Sequence, residues 1–180
     1  MCLAEHITPP WYVITGGPSS GKTTTVELLR GKGFEIAHEH ASEIIAEEIA
    51  KGRTLLEVRA DGEWFQEEIL RRQQEHEESL NPTQTVFLDR GIPDGLGYER
   101  FLGLTPNPAL TTAAQGTSYR KVFILDPLPV KLDWNRHEDA ETQHAIHDAI
   151  EAVYVELGND VVEVPVLSPE ERVKFILERL

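Results

Sequence analysis

The chain has 180 residues, 40% hydrophobic and 27% charged, and a formal net charge of −14 at pH 7. That length suits a single domain over residues 1–180, and the acidic balance excludes a nucleic-acid partner or docking on an anionic membrane. The single Cys2 excludes an internal disulfide and no apolar run approaches a membrane span, so a cytoplasmic protein is expected.

Trp11–Thr15 is a short apolar run with β-branched residues and predicts a buried strand. It leads into Gly16-Gly17-Pro18-Ser19-Ser20-Gly21-Lys22-Thr23, which spells the phosphate-binding loop G-x-x-x-x-G-K-[ST]. Thr24 to Arg30 predicts the helix that must follow, stopped by Gly31 and Gly33. The spelling has a physical basis. Gly16 and Gly21 permit backbone angles that a side chain would block, so successive amides can converge on phosphate oxygens at a helix N-terminus. Lys22 adds a point charge at the β/γ-phosphates, and Thr23 offers a hydroxyl to Mg²⁺. The expected nucleotide set is Gly16, Pro18, Ser19, Ser20, Gly21, Lys22, Thr23 and Thr24, with ATP or GTP as the ligand.

Phe34–His38 predicts a second strand and Ala41–Lys51 a helix. A longer helix is expected over Gly62–Leu80, where Phe65, Ile69, Arg72 and His76 recur at helical spacing before Asn81-Pro82 ends it. Trp64 and Phe65 are expected in the core. Thr85–Leu88, Lys121–Leu125 and Val161–Val164 read as three further strands. Between them, residues 102–119 are rich in Pro, Thr, Gly and Ala and read as an overlong connection with a role in substrate selection. Ala140–Leu157 places Ile146, Ile150, Val153 and Leu157 on one helix face, with Gly158 at its end. His144 and His147 on that helix are expected to be solvated rather than metal ligands. Ser168-Pro169-Glu170-Glu171 opens the last helix with a capping box.

Five short strands with helical crossovers imply a parallel sheet covered on both faces, with ligands beyond the carboxyl ends of the strands. After the second strand comes Glu39, placed to orient an acceptor hydroxyl and take its proton. After the third comes Asp89-Arg90-Gly91, where Asp89 is the preferred Mg²⁺ carboxylate, and after the fourth comes Asp126. Arg136, beyond the fourth strand, is placed as the arginine of a closing lid over about residues 127–142.

These residues resemble the P-loop kinase-like ATPase family that includes the nicotinamide riboside kinase domain of the bacterial NAD regulator. The resemblance runs nearly end to end, through Ile14–Thr23, the Glu39 segment, Phe87–Tyr98, Leu125–Pro129, Arg136–Asp139 and Val164–Arg172. It implies an α/β P-loop NTPase three-layer sandwich of the nucleoside- and nucleotide-kinase type, with a five-stranded parallel sheet in the order 2-3-1-4-5. One departure stands out: the family pattern E-x-x-R after the second strand becomes Glu39 to Ser42 here, without the arginine.

The expected activity is transfer of a γ-phosphoryl group to a small-molecule acceptor, nucleoside-like or another metabolite. Lys22, Glu39, Asp89 and Arg136 are the candidate catalytic groups, and Glu39, Arg90 and Asp94 the candidate acceptor contacts. Thr23 and Asp89 are the candidate Mg²⁺ ligands. The alternative is a nucleotide hydrolase or switch acting through a protein partner, to which Asp94-Gly95-Leu96-Gly97 lends a D-x-x-G match; no N-K-x-D guanine motif occurs.

Overall fold

Five short segments supply the strands: β1 (Trp11–Thr15), β2 (Glu35–Ala37), β3 (Val86–Asp89), β4 (Lys121–Leu125) and β5 (Val161–Val164). The computed structural model describes residues 8–129 and 140–180. All four strand pairings are parallel, and the order is β2-β3-β1-β4-β5, as the resemblance implies. β1 is central, with Ile14 opposite Asp89 on β3 and Thr15 opposite Ile124 on β4. That register brings the loop after β1 and the acidic turn after β3 to the same end of the sheet.

Alternation along β1 sends side chains to two separate cores. Tyr12 and Ile14 join Phe87, Phe123 and Leu125 beneath α1 (Lys22–Gly31) and α8 (Pro169–Leu177). Val13 joins Leu88, Val122 and Ile124 beneath α7 (Ala140–Glu156), with Tyr98 and Phe101 of α5 (Pro93–Leu102) packed alongside. Helix, sheet and helix thus form three layers. The helix α2 (Ala41–Ala50) and the long α4 (Gly62–Ser79) stand close to the positions read from sequence.

Three segments differ from the expected layout. A six-residue helix, α3 (Leu55–Ala60), precedes α4; Thr54 and Glu57 close a capping box around its start. Residues 102–119 are not an irregular connection, because α6 (Pro108–Gln115) occupies the middle of them. The Asn107 side chain caps its first turn, Pro108 sits at N1, and Leu110 and Ala114 are buried beside Leu70 and Ile92. Trp64 and Phe65 are half-buried rather than core residues. Arg53 lies 5.1 Å from the Trp64 ring centroid, and Phe65 faces a cavity under α2, α4 and α5.

Gly97 sets the approach of α5 to α7. A Cβ there would lie 2.8 Å from the Ile150 Cα and 3.1 Å from its backbone nitrogen. Backbone cannot yield as a flexible side chain does, so Gly97→Ala is expected to lose about 2 kcal/mol by overpacking. Thermal unfolding checks this, with a midpoint lowered by about 4–8 °C.

Candidate active site

The loop between β1 and α1 curls through left-handed residues at Ser19 (φ 56°) and Gly21 (φ 84°), after Gly16 at φ 134°. A Cβ on Gly16 would lie 2.6 Å from the Leu125 carbonyl oxygen, so only glycine lets the loop leave the sheet so close to β4. Lys22 folds over this curl. Its Nζ donates to the carbonyls of Gly16 (3.0 Å) and Gly17 (2.7 Å) and to Ser20 Oγ (3.3 Å). Burial, followed by the Arg90 charge, lowers the Lys22 pKa to about 7, against the opposing pull of Asp89, Asp94 and Glu39. Thr23 and Thr24 are exposed on the first turn of α1. Pro18 is half-buried, and its carbonyl accepts a 2.8 Å hydrogen bond from Gln143 Nε2 of α7.

Arg172 supports the loop from the other face. Its Nη1 donates to the Ser20 carbonyl at 3.0 Å and to that of Gly21 at 3.4 Å, and a Cβ on Gly21 would collide with it. Only 3% of the residue is exposed. A single arginine in an amphipathic helix carries no signal in the sequence of what it will touch.

The end of β3 supplies a dense charged group. Asp89 is 7% exposed, and its Oδ1 is buried with no hydrogen-bond partner. Burial first, and then the Glu39 charge, raise its carboxyl from 3.8 to about 6. Arg90 adopts φ 73°, unusual for a residue with a side chain. Its Nη1 donates to Asp94 Oδ1 at 3.1 Å, its Nε lies 3.3 Å from Glu39 Oε1, and its guanidinium sits 5.3 Å from the Tyr98 ring centroid. Glu39 thereby reaches the site from the end of β2, as the sequence order requires.

Asp94, 3% exposed, organises this turn. It accepts hydrogen bonds from Thr15 Oγ1, from the Gly91 amide (3.2 Å) and from Tyr154 Oη (2.6 Å), besides that from Arg90. Tyr119 Oη accepts from the Ile92 amide at 3.1 Å and donates to Glu77 at 2.9 Å. A Cβ on Gly91 would lie 2.7 Å from Tyr154 Oη and 3.0 Å from Tyr119 Oη, so the two tyrosines hold the turn only around a glycine. Neither tyrosine had a motif to mark it.

Beyond Glu39 and Arg90 opens a cavity of about 540 Å³ under α2, α4 and α5. Phe65, Tyr98 and Phe101 give it aromatic walls, and Glu39, Arg90 and Asp94 give it a polar end. Ser42, which stands where the family pattern has arginine, lines it too, as does Arg59 of α3. Asp126 stands apart at the end of β4, its charge acting on Arg172 and His147 rather than among the leading influences on Lys22. Arg136 and residues 130–139 of the expected lid lie outside the described residues, as does Cys2. Among the described residues, no helix is long and apolar enough to cross a membrane.

A glycine loop ahead of α1 at the centre of a 2-3-1-4-5 sheet, with acids at the neighbouring strand ends, defines a P-loop NTPase with the nucleoside- and nucleotide-kinase fold. The family model described as an AAA domain matches residues 11–172, and the chain belongs to that family. No protein of curated function matches the sequence. Among solved structures, the NadR protein in complex with NR is 20% identical with a TM-score of 0.69, over 95% of this chain and 51% of that one. This chain thus spans about half the length of NadR. Thymidylate kinase from Ehrlichia chaffeensis is 14% identical with a TM-score of 0.66, over 93% of this chain and 96% of that one. Deoxyadenosine kinase from M. mycoides gives 16% identity and a TM-score of 0.61, over 94% and 97%. These likenesses bear out the kinase-like P-loop fold that the sequence resembles.

Proposed function

We propose that this protein is a small-molecule kinase that transfers the γ-phosphoryl group of ATP or GTP to a hydroxyl of an acceptor held in the aromatic cavity. The supporting observation is that Glu39 and Arg90, in contact with each other, line the cavity while belonging to the same charged group as Lys22 and Asp89. A hydrolase needs room for water beside the phosphates; a deep aromatic cavity suits an organic acceptor.

Gly16, Pro18, Ser19, Ser20, Gly21, Lys22, Thr23 and Thr24 hold the triphosphate, with Lys22 exchanging its loop carbonyls for phosphate oxygens. The unpartnered Asp89 Oδ1 and the exposed Thr23 hydroxyl are hard oxygen donors, a set that fits Mg²⁺. When bound, Mg²⁺ neutralises charge on the β- and γ-phosphates. Glu39 orients the acceptor hydroxyl and accepts its proton, while Arg90 faces the incoming phosphoryl oxygens. Asp94 positions Arg90 from the polar end of the cavity and sets the acceptor's limit there. The lid over about residues 127–142 and its Arg136, which lies outside the described residues, belong to this reading as the resemblance implies them. Asp94 and Gly97 have packing duties that account for the D-x-x-G spelling without a switch.

Incubation with γ-labelled ATP or GTP and a panel of nucleosides and other hydroxyl metabolites tests this reading. Label on an acceptor is the expected result; release as free phosphate at one rate with and without acceptors overturns it. Glu39→Gln is expected to lower acceptor phosphorylation by about 10²–10⁴-fold while leaving nucleotide affinity within about twofold, measured by steady-state kinetics beside a nucleotide titration.

A further inference from the structure

Arg172 of α8 brings a buried guanidinium to the back of the phosphate loop, and its hydrogen bonds within the described residues all go to neutral oxygens. Nη1 donates to the Ser20 carbonyl at 3.0 Å, to the Gly21 carbonyl at 3.4 Å and to Thr25 Oγ1 at 3.4 Å. Nη2 donates to the Leu167 carbonyl at 3.4 Å, while Nε is buried with no partner. Thr25 Oγ1 in turn donates to the Gly21 carbonyl at 3.0 Å. Each of the two loop carbonyls shares a peptide unit with the next amide, Ser20 with Gly21 and Gly21 with Lys22. In a trans peptide the C=O and N–H point opposite ways, so carbonyls anchored on Arg172 turn those two N–H groups toward the other face of the loop. Gly21 is the N-cap of α1 and Lys22 its first residue, so neither N–H has a partner within the helix.

We propose that Arg172 is a positioning residue for nucleotide binding: it holds the Gly21 and Lys22 amides toward the phosphates and backs them with a positive charge. A buried cation among neutral oxygens is uncompensated, and a polyanion on the opposite face of the same peptide units supplies the missing charge. The guanidinium also polarises each unit through its carbonyl, which makes the N–H on the far side a stronger donor. This contribution differs from that of Lys22, whose Nζ leaves the Gly16 and Gly17 carbonyls to meet phosphate. Arg172 keeps its contacts, so its share is preorganised. Gly21 thereby has a second duty beyond its φ of 84°, since a Cβ there would collide with Nη1. The inference rests on the reading that this loop holds the triphosphate, and it is independent of the acceptor.

Calorimetric titration of ATP, and separately of inorganic triphosphate, into the full chain tests this at pH 6, below the Lys22 pKa of about 7. Arg172→Gln keeps neutral N–H donors and Arg172→Lys keeps the charge; both are checked for folding by circular dichroism and thermal unfolding. Arg172→Gln is expected to weaken both ligands by at least about tenfold, while Arg172→Lys stays within about threefold of wild type. A merely structural brace would make affinity follow the unfolding midpoint and let the neutral donor serve as well as the charged one. Thr25→Val leaves Arg172 in place and removes the relay to the Gly21 carbonyl, so it decides the matter where Arg172→Gln does not fold. It is expected to cost about threefold in affinity for both ligands, and an unchanged affinity overturns the proposal. Wild-type affinity in Arg172→Gln, or equal losses in Arg172→Gln and Arg172→Lys, also overturns it while leaving the loop as the nucleotide site. Failure of the wild type to bind either ligand overturns that reading, and this inference with it.

Discussion

Asp89→Asn is expected to lose at least a hundredfold in phosphoryl transfer and, in the same molecule, to become more stable. The two effects share one cause. The carboxyl is buried at the end of β3 beside Glu39, and its pKa stands at about 6 against an ordinary 3.8. A raised carboxyl pKa means that folding disfavours the ionised form, so this group destabilises the fold at every pH above its folded value. The penalty is fully present at pH 8, shrinks as pH falls through 6, and is gone below 3.8, where both states are protonated. At about 1.4 kcal/mol per unit, the neutral amide relieves about 2–3 kcal/mol, which for this size corresponds to a rise of about 4–9 °C in the unfolding midpoint. The gain over wild type is expected at pH 8, to be about halved at pH 5, and to vanish below pH 4. Scanning calorimetry of both proteins across that range measures it. Asparagine has one neutral oxygen where a divalent cation needs an anionic one, so Mg²⁺-dependent transfer falls by about 10²–10⁴-fold. If Asp89 merely capped the turn, the variant would unfold earlier and keep its activity. A stability cost carried by an unpartnered acid is the mark of a residue kept for its chemistry.

The framework was legible because its signals are local and periodic. β1, β4 and β5 stand on the residues read from sequence, and the loop spelling fixed the turn between β1 and α1. Glu39, Asp89 and Arg90 were legible because they sit at or just past the carboxyl ends of strands, where the topology of a parallel sheet gathers its site. What escaped depends on distant partners. Residues 102–119 read as loop because Pro, Gly and Thr dominate them, yet Asn107 and Pro108 are also helix-start residues, and burial of Leu110 and Ala114 decided the matter. α3 has only six residues, too few for a periodic pattern to register. Arg172, Tyr119 and Tyr154 act through contacts 27 to 152 positions away in the chain, which no local pattern encodes. His147 was misplaced for a related reason: a polar residue on an amphipathic helix reads as solvated until the loop at Gly17 is seen lying against it.

Nucleotide affinity is expected to fall about tenfold for each pH unit above 7, a loss of about a hundredfold by pH 9. Lys22 is the cause. In the free protein its ammonium is 8% exposed, and burial together with Arg90 holds its pKa at about 7 rather than 10.5. Above pH 7 the free side chain is increasingly neutral. A bound triphosphate brings anionic oxygens to the same place and favours the charged form, so complex formation takes up a proton. Below pH 7 Lys22 is already charged, and this contribution to the slope disappears. Calorimetric titration at pH 8.5 in two buffers of different ionisation enthalpy counts the proton directly, and close to one per nucleotide is expected. Lys22→Met removes both the charge and the uptake, so its weaker binding should be flat from pH 7 to 9. Unchanged wild-type affinity over that range would mean that the ammonium stays charged within the loop. The loop would then hold its cation on carbonyls at no electrostatic cost, and Lys22 would contribute to nucleotide binding only what a solvated lysine does.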